Sequence, residues 1–263
     1  MEWLKICEQA LPKVQQVGKF IVGELGKVQA SQVEDKSVNS LVSYVDKQAE
    51  IQLVEALQQI LPTATFITEE ATIENSKSEL TWIIDPLDGT TNFLHGIPCF
   101  SVSVGLQCEG QLVVGIVLEP TRNEMFYAAH QQGAFLNGNR IKVRQNATFA
   151  NSLIAIGFPY NDGKRVQQML SMFETFQKES RGIRRLGSAA LDLAYTAAGR
   201  FDAYFEGGIN AWDIAGGALL VKEAGGIVTD YQGGDDFLFS GEIIAATPSV
   251  YDRLKSLVLE TYY

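Results

Sequence analysis

Leu80-Thr81-Trp82-Ile83-Ile84-Asp85-Pro86-Leu87-Asp88-Gly89-Thr90-Thr91-Asn92 opens as a strand and closes as a helix start. The run Leu80–Ile84 is apolar and β-branched, which favours a strand. It delivers two carboxylates, Asp85 and Asp88, to its C-terminal end. Pro86 restricts the backbone between them, and Gly89 can take conformations that other residues resist. Thr90-Thr91-Asn92 suits the first residues of a helix. Carboxylates beside the exposed N–H groups of a helix start can hold hard cations and a phosphate together. An isolated Asp-x-x-Asp-Gly is explained as well by a capped acidic turn, so the weight falls on what surrounds it.

Upstream, Thr65–Thr68 is a second short strand, and Glu69-Glu70 follows it, placing a carboxylate at another strand end. A helix is expected over about Asp46 to Leu61, stopping at Pro62, with Asp46 at its opening. Residues 28–44 are polar and are expected to form an exposed loop. Before them, Leu4, Cys7, Leu11, Val14, Gly18, Ile21 and Leu25 recur in steps of three and four, one face of a helix.

Downstream, Ser101–Leu106, Gln111–Leu118 and Met125–His130 form a meander, with Glu109-Gly110 as its first turn and a turn-rich Gly133–Gly138 behind it. The second half alternates. Arg165–Lys178, Ser188–Ala198, Ile214–Ala224 and Ser249–Thr261 are expected to be helices, and Phe201–Phe205, Gly226–Thr229 and Ile243–Ala246 strands. A boundary near Arg144–Ala150 then divides the chain in two. Residues 1–145 make an α+β half with most of the carboxylates of interest, and 146–263 an α/β half with Asp213. In Trp212-Asp213-Ile214-Ala215-Gly216-Gly217 that aspartate stands at a helix start, where alone it would be a cap.

Composition narrows the function classes. The 263 residues are 46% hydrophobic and 20% charged, an ordinary globular balance, and the net charge is −10. No Lys/Arg-dense block suits nucleic acid, and no apolar run is long enough for a membrane span. The N-terminus lacks the apolar core of a signal peptide, so a cytoplasmic location is expected. Cys7, Cys99 and Cys108 are scattered and show no ligand spacing, as free thiols in a reducing compartment would be. An acidic protein that handled phosphates would need cations to offset repulsion.

Rival chemistries lack their residues. There is no Gly-x-x-x-x-Gly-Lys-Ser/Thr, no Gly-x-Ser-x-Gly and no His-Glu-x-x-His, and His95 and His130 are the only histidines. A phosphatase with an aspartyl nucleophile of the haloacid dehalogenase type would need Asp-x-Asp. Here Pro86-Leu87 separates the two aspartates, which argues for attack by a metal-bound water instead.

Taken together, Glu69-Glu70, Asp85–Asn92 and Trp212–Gly216 resemble the inositol monophosphatase family, in that order and at suitable separations. Asn39–Asp46, Gly133–Gly138, Arg185–Ala190, Ala203–Glu206 and Glu223–Gly226 extend the likeness over nearly the whole chain. The resemblance implies a mixed α/β fold, the layered αβαβα sandwich of the lithium-sensitive phosphatases. It implies that Glu69, Asp85, the Leu87 carbonyl, Asp88 and Asp213 hold two or three Mg²⁺ ions, with Mn²⁺ as a substitute. Gly89 and Thr90 would offer N–H groups to the phosphate. Thr90, with Glu69 or Asp46 behind it, would orient the attacking water. Leu87, Asp88 and Asp213 would face the substrate too, and Gly187, Ser188, Ala189 and Glu206 would line the side of its alcohol. A homodimer and a small phosphorylated polyol or sugar substrate are implied as well.

The chemistry agrees. Phosphomonoester hydrolysis is extremely slow unaided, and two metals about 3.5–4 Å apart can grip the attacking and departing oxygens. Mg²⁺ prefers oxygen ligands and keeps several waters, which suits carboxylates without His or Cys. The sequence departs from the family at Ser40, where relatives often have an acidic residue, and in a slightly short Lys36-Ser37 loop. myo-Inositol phosphate is the expected substrate. Fructose 1,6-bisphosphate, histidinol phosphate, NADP and adenosine 3′,5′-bisphosphate are rivals on the same machinery, and a non-catalytic binding protein on this fold is the rival outside it.

Overall fold

Trp3–Glu24 folds as helix α1 and buries Cys7, Val14, Gly18 and Ile21 of the stripe that begins at Leu4. The structure is a computed structural model that describes residues 2–37, 40–158 and 163–263; the side chains of Ala30, of 35–37, of Ser40 and of 163–165 fall outside that description. Asn39 lies outside the described residues, and the expectations on Lys36 and Ser40 concern side chains that are not described.

The polar stretch 28–44 is not the open loop expected of it. It holds an antiparallel pair, β1 (Val33–Ser37) and β2 (Ser40–Ser43), with Val33 opposite Ser43 and Glu34 opposite Val42. Among the described side chains of the pair Val42 is the buried hydrophobic one, so the pair forms on backbone bonding with little apolar patterning to announce it. β2 runs directly into helix α2 (Tyr44–Ile60), whose N-cap is Ser43.

Next come β3 (Thr65–Thr68), β4 (Leu80–Asp88) and the short helix α3 (Thr90–Leu94). A meander follows: β5 (Ser101–Cys108), β6 (Gln111–Glu119), β7 (Glu124–Ala129), β8 (Gly133–Leu136) and β9 (Asn139–Ile141). The segment read only as turn-rich is thus a hairpin. Asn137 and Gly138 both take positive φ, 48° and 83°, the two-residue turn whose twist matches paired strands. β3 to β9 make one sheet in sequence order, parallel between β3 and β4 and antiparallel elsewhere.

The remaining elements are β10 (Leu153–Ile156), α4 (Gly163–Glu179), β11 (Gly182–Arg184), α5 (Ala189–Ala197), β12 (Ala203–Gly207), α6 (Ala211–Glu223), β13 (Ile227–Thr229), β14 (Glu242–Ala246) and α7 (Pro248–Tyr262). Their strands form a second sheet in the order β11-β10-β12-β14-β13. β10 and β11 went unread, because four and three residues carry too little periodicity.

Three buried clusters separate five layers. One packs α1 and α2 on the first sheet, through residues such as Val14, Leu53, Trp82 and Val104. The second fills the space between the sheets, where α5 and α6 contribute Leu191, Leu193, Ile214 and Leu219. The third packs α4 and α7 on the outer face of the second sheet, with Phe176, Phe205 and Leu254. The αβαβα sandwich expected from the resemblance is the architecture observed.

α6 lies unusually close to the first sheet. A Cβ on Gly105 would stand 2.6 Å from the Ala215 Cβ, and one on Gly115 would stand 2.4 Å from the Gly216 carbonyl oxygen. Gly217 presses likewise on Leu193 of α5. The small residues after Asp213 are therefore packing residues, and an alanine at Gly105 would cost about 1–3 kcal/mol by crowding. Close approach brings the first turn of α6 to the end of β4.

Candidate active site

Asp85 and Asp88 are an odd number of residues apart, and in a regular strand they would point to opposite faces. β4 avoids this. Asp85 pairs with Ser103 and Asp88 with Ser101, so three steps on β4 match two on β5. The extra residue is a bulge at Pro86-Leu87, where a residue without an N–H is tolerated. Both carboxylates then face α5 and α6, and Leu87 turns into the opposite core. The Leu87 amide donates to Asp85 Oδ1 at 2.9 Å.

Each carboxylate is held by a different element. Asp88 Oδ2 accepts from Ser188 Oγ and from the Ala190 amide, both at 2.7 Å, so the start of α5 docks on it. Asp213 is the third residue of α6, and its Oδ2 accepts from the Asn210 amide at 2.8 Å in a capping box. Asp46 occupies the same position in α2, where its Oδ2 accepts from the Ser43 amide and hydroxyl at 2.9 and 2.7 Å. Both aspartates are thus cap residues that also stand at or just behind the cavity that the carboxylates border. Asp46 Oδ1 lies 2.8 Å from Thr90 Oγ1, which is also 3.0 Å from the Leu87 carbonyl.

Glu69 follows β3 directly and hydrogen-bonds the Asp85 carboxyl. Burial, then the charges of Glu69, Asp88 and Asp213, raise Asp85 well above the carboxylate range. Burial, then Asp88 and Glu69, do the same to Asp213. Asp88 rises to about 6 through burial, although Ser188, Ala190 and the charge of Arg185 pull it down. Asp46 is raised by burial against the pull of Ser43 and Thr90.

Four mutually repelling carboxylates at one spot call for protons or cations, since a buried charge without a partner costs several kcal/mol. The donors are all oxygen, which suits a hard divalent ion. Among the described residues, no three His, Cys, Asp or Glu side chains stand as a ready-made ion cage. An ion here would take one or two of these carboxylates, with the Leu87 carbonyl and waters completing its shell, as Mg²⁺ tolerates and Zn²⁺ does not.

The carboxylates border a cavity of about 690 Å³. Glu69, Asp88, Gly89, Thr90 and Asp213 stand on one side, and Gly187, Ala189 and Glu206 also line it. Asp46, Asp85 and Leu87 lie behind that wall, and Ser188 is fully buried against Asp88 and Ser101. Gly89 and Gly187 both take positive φ, 94° and 90°, and a Cβ on Gly89 would crowd the Cys99 and Gly187 carbonyls at 3.1 Å. Asn92 holds the two segments together, its amide nitrogen lying 2.6 Å from the Cys99 carbonyl and 2.8 Å from that of Leu186.

Glu206 accepts from the Tyr204 hydroxyl, and burial lifts its carboxyl to about 7 against Arg185 and Tyr204. Sequence reading missed two contributors to this side, Gly157 and Asp192, and gave Arg185 no role of its own. Arg185 lines the cavity and brings a cation to an acidic wall. Gly157 leaves room for Glu206, since a Cβ there would sit 1.7 Å from its carboxyl carbon. Asp192 is a buried carboxyl that feels the charge of Asp88, and neither of its oxygens has a hydrogen-bond partner among the described residues. No local motif marks Gly157 or Asp192, and Arg185 stands only as the first residue of the Arg185–Ala190 segment.

The model of the inositol monophosphatase family matches residues 3–261. The Nus factor SuhB of Pasteurella multocida is 43% identical over 220 residues, covering 83% of this chain and 82% of that protein. The inositol-1-monophosphatase of Mesorhizobium japonicum is 40% identical over 256 residues, covering 97% and 95%. Among solved structures, the IMPase of Thermotoga maritima superposes with a TM-score of 0.89 at 35% identity, over 99% of this chain and 98% of that one.

Proposed function

The chain belongs to the inositol monophosphatase family, and from that premise we propose that it is a Mg²⁺-dependent phosphomonoesterase acting on a small phosphorylated polyol, inositol 1-phosphate first among them. One observation carries the reading. Carboxylates from β3, β4 and α6 converge beside the Thr90–Asp46 pair, and Glu206 and Arg185 line the same cavity. The first group suits a phosphate with its cations. The second suits the hydroxyls of an alcohol.

Glu69, Asp85, the Leu87 carbonyl, Asp88 and Asp213 would hold the ions, whose charge offsets that of the phosphoryl oxygens and acidifies a water. The chain's own residues do the rest. The Thr90 hydroxyl donates a hydrogen bond to Asp46 or to the Leu87 carbonyl, leaving lone pairs free to accept a hydrogen bond from a water and aim its oxygen. The Gly89 and Thr90 amides bind the phosphate. Glu206 accepts hydrogen bonds from substrate hydroxyls, and Gly187 and Ala189 keep that side narrow. A homodimer with two or three ions per chain completes the reading. The name Nus factor SuhB belongs to the relatives that bear it, and the phosphatase reading rests on the site.

Phosphate release from a panel of phosphomonoesters, with and without Mg²⁺ and Li⁺, tests it. Inositol 1-phosphate should be cleaved fastest, and chelator should abolish turnover. Asp213→Asn and Glu69→Gln should each lower kcat by about 10²-fold or more. Wild-type activity in both variants would sink the metal site, and a faster nucleotide or histidinol phosphate would replace the substrate.

A further inference from the structure

Glu50 is fully buried on α2, one helical turn beyond Asp46, and no step above uses it. Its Oε2 accepts from the Glu70 amide at 2.7 Å. Its Oε1 accepts from the Thr72 amide and the Thr72 hydroxyl, both at 2.7 Å. A buried carboxylate that accepts three short hydrogen bonds is a strong clamp. What it clamps is the turn immediately after Glu69. Between the two held amides, Ala71 takes φ 49°, a left-handed conformation that alanine resists. The far end of the turn is tied separately, by Asn75 to both the amide and carbonyl of Thr68. The turn is thus held open in a strained shape from inside the protein, and the residue at its start is the one whose carboxyl meets Asp85.

We propose that Glu50 is a positioning residue for the ion site: by fixing the backbone at Glu70 and Thr72 it sets where the Glu69 carboxylate stands, and it ties that carboxylate to the helix that carries Asp46. The proposal rests on the phosphatase reading. α2 then presents both halves of the water-orienting machinery, Asp46 through Thr90 and Glu50 through Glu69, from adjacent turns of one rigid element.

Glu50→Gln keeps the shape and loses one acceptor oxygen, so its NH2 group must face at least one of the three donors. Thr72→Val removes one of the three bonds and leaves Glu50 in place. Mn²⁺ binding followed by electron paramagnetic resonance gives a readout apart from turnover. kcat and KM for inositol 1-phosphate, thermal melting and amide hydrogen exchange at residues 69–73 complete the set. Glu50→Gln should weaken Mn²⁺ binding and lower kcat by about 10-fold, with KM changed less than about 2-fold, and should speed exchange in this turn alone. Thr72→Val should show a smaller change of the same pattern. Wild-type Mn²⁺ affinity and kcat in a folded Glu50→Gln, whatever its melting temperature, would overturn the proposal and leave Glu50 a scaffold residue. If Glu50→Gln does not fold, Thr72→Val decides by the same criterion. Asp213→Asn is the control, because its retaining Mn²⁺ affinity would refute the metal site itself.

Discussion

Glu206 changes its charge near neutral pH, since its carboxyl rises from an ordinary 4.5 to about 7. Between those values the folded chain keeps a proton that the unfolded chain has released. Its contribution to stability is therefore full below about 4.5 and is lost as the pH rises through about 7. Glu206→Gln, uncharged throughout, should gain stability relative to the wild type between pH 5 and 8, on the order of 1–2 kcal/mol in melting experiments. Activity should move the other way. The charged form is the better acceptor of hydroxyls, so wild-type kcat/KM for inositol 1-phosphate should rise through about pH 7, and Glu206→Gln should be lower and flat across this range. Gly157→Ala, whose Cβ would overlap the Glu206 carboxyl, should raise KM more than it lowers kcat. If the rise in wild-type kcat/KM survives in Glu206→Gln, another group is responsible for it.

At the scale of elements, α2 and α6 use one device twice. In each, an aspartate at the third position gives one oxygen to the N-cap amide. In α2 the other oxygen of Asp46 meets Thr90, and in α6 Asp213 borders the cavity. The helix start thus fixes the carboxylate's direction without a further support. Capping and catalysis can be separated by mutation. Ser43→Ala and Asp46→Asn should each cost about 1 kcal/mol of stability, read from urea midpoints. Only Asp46→Asn should lower kcat by about 10²-fold, because it alone alters the acceptor behind Thr90. Equal kcat in the two variants would reduce Asp46 to a cap.

For the whole molecule, the site lies where the first sheet, the middle helices and β12 of the second sheet meet. Four carboxylates drawn from residues 69 to 213 are forced together, and burial with mutual repulsion raises Asp85, Asp88 and Asp213. On the proposed reading, bound cations would offset that repulsion. Mg²⁺ at 100 times its dissociation constant should therefore stabilise the protein by about 2.7 kcal/mol, a rise in melting temperature of about 5 °C or more for a chain of this size. Na⁺ at equal ionic strength should do far less, and Asp213→Asn should lose most of the gain. An unchanged melting temperature with Mg²⁺ would remove the cations from the site. Among the described residues no helix is long and apolar enough to cross a membrane.

What the sequence determined by itself is local. The strand before Asp85, the helices behind Asp46 and Asp213, and the Glu109-Gly110 turn follow from alternation, 3.6-residue spacing and turn chemistry, each legible within a dozen residues. The carboxylates could be named for the same reason, as they stand at element ends. Tertiary structure alone decided that they meet. The bulge that turns Asp85 and Asp88 to one face depends on the pairing of β4 with β5. Ser188 reaches Asp88 across 100 positions, and Gly105 and Gly115 admit α6 by lacking a Cβ. Glu50 and Gly157 act only through what packs against them, and β10 and β11 exist only through their neighbours. Periodicity is a property of the chain, whereas close approach belongs to pairs of surfaces, and no single segment records its partner.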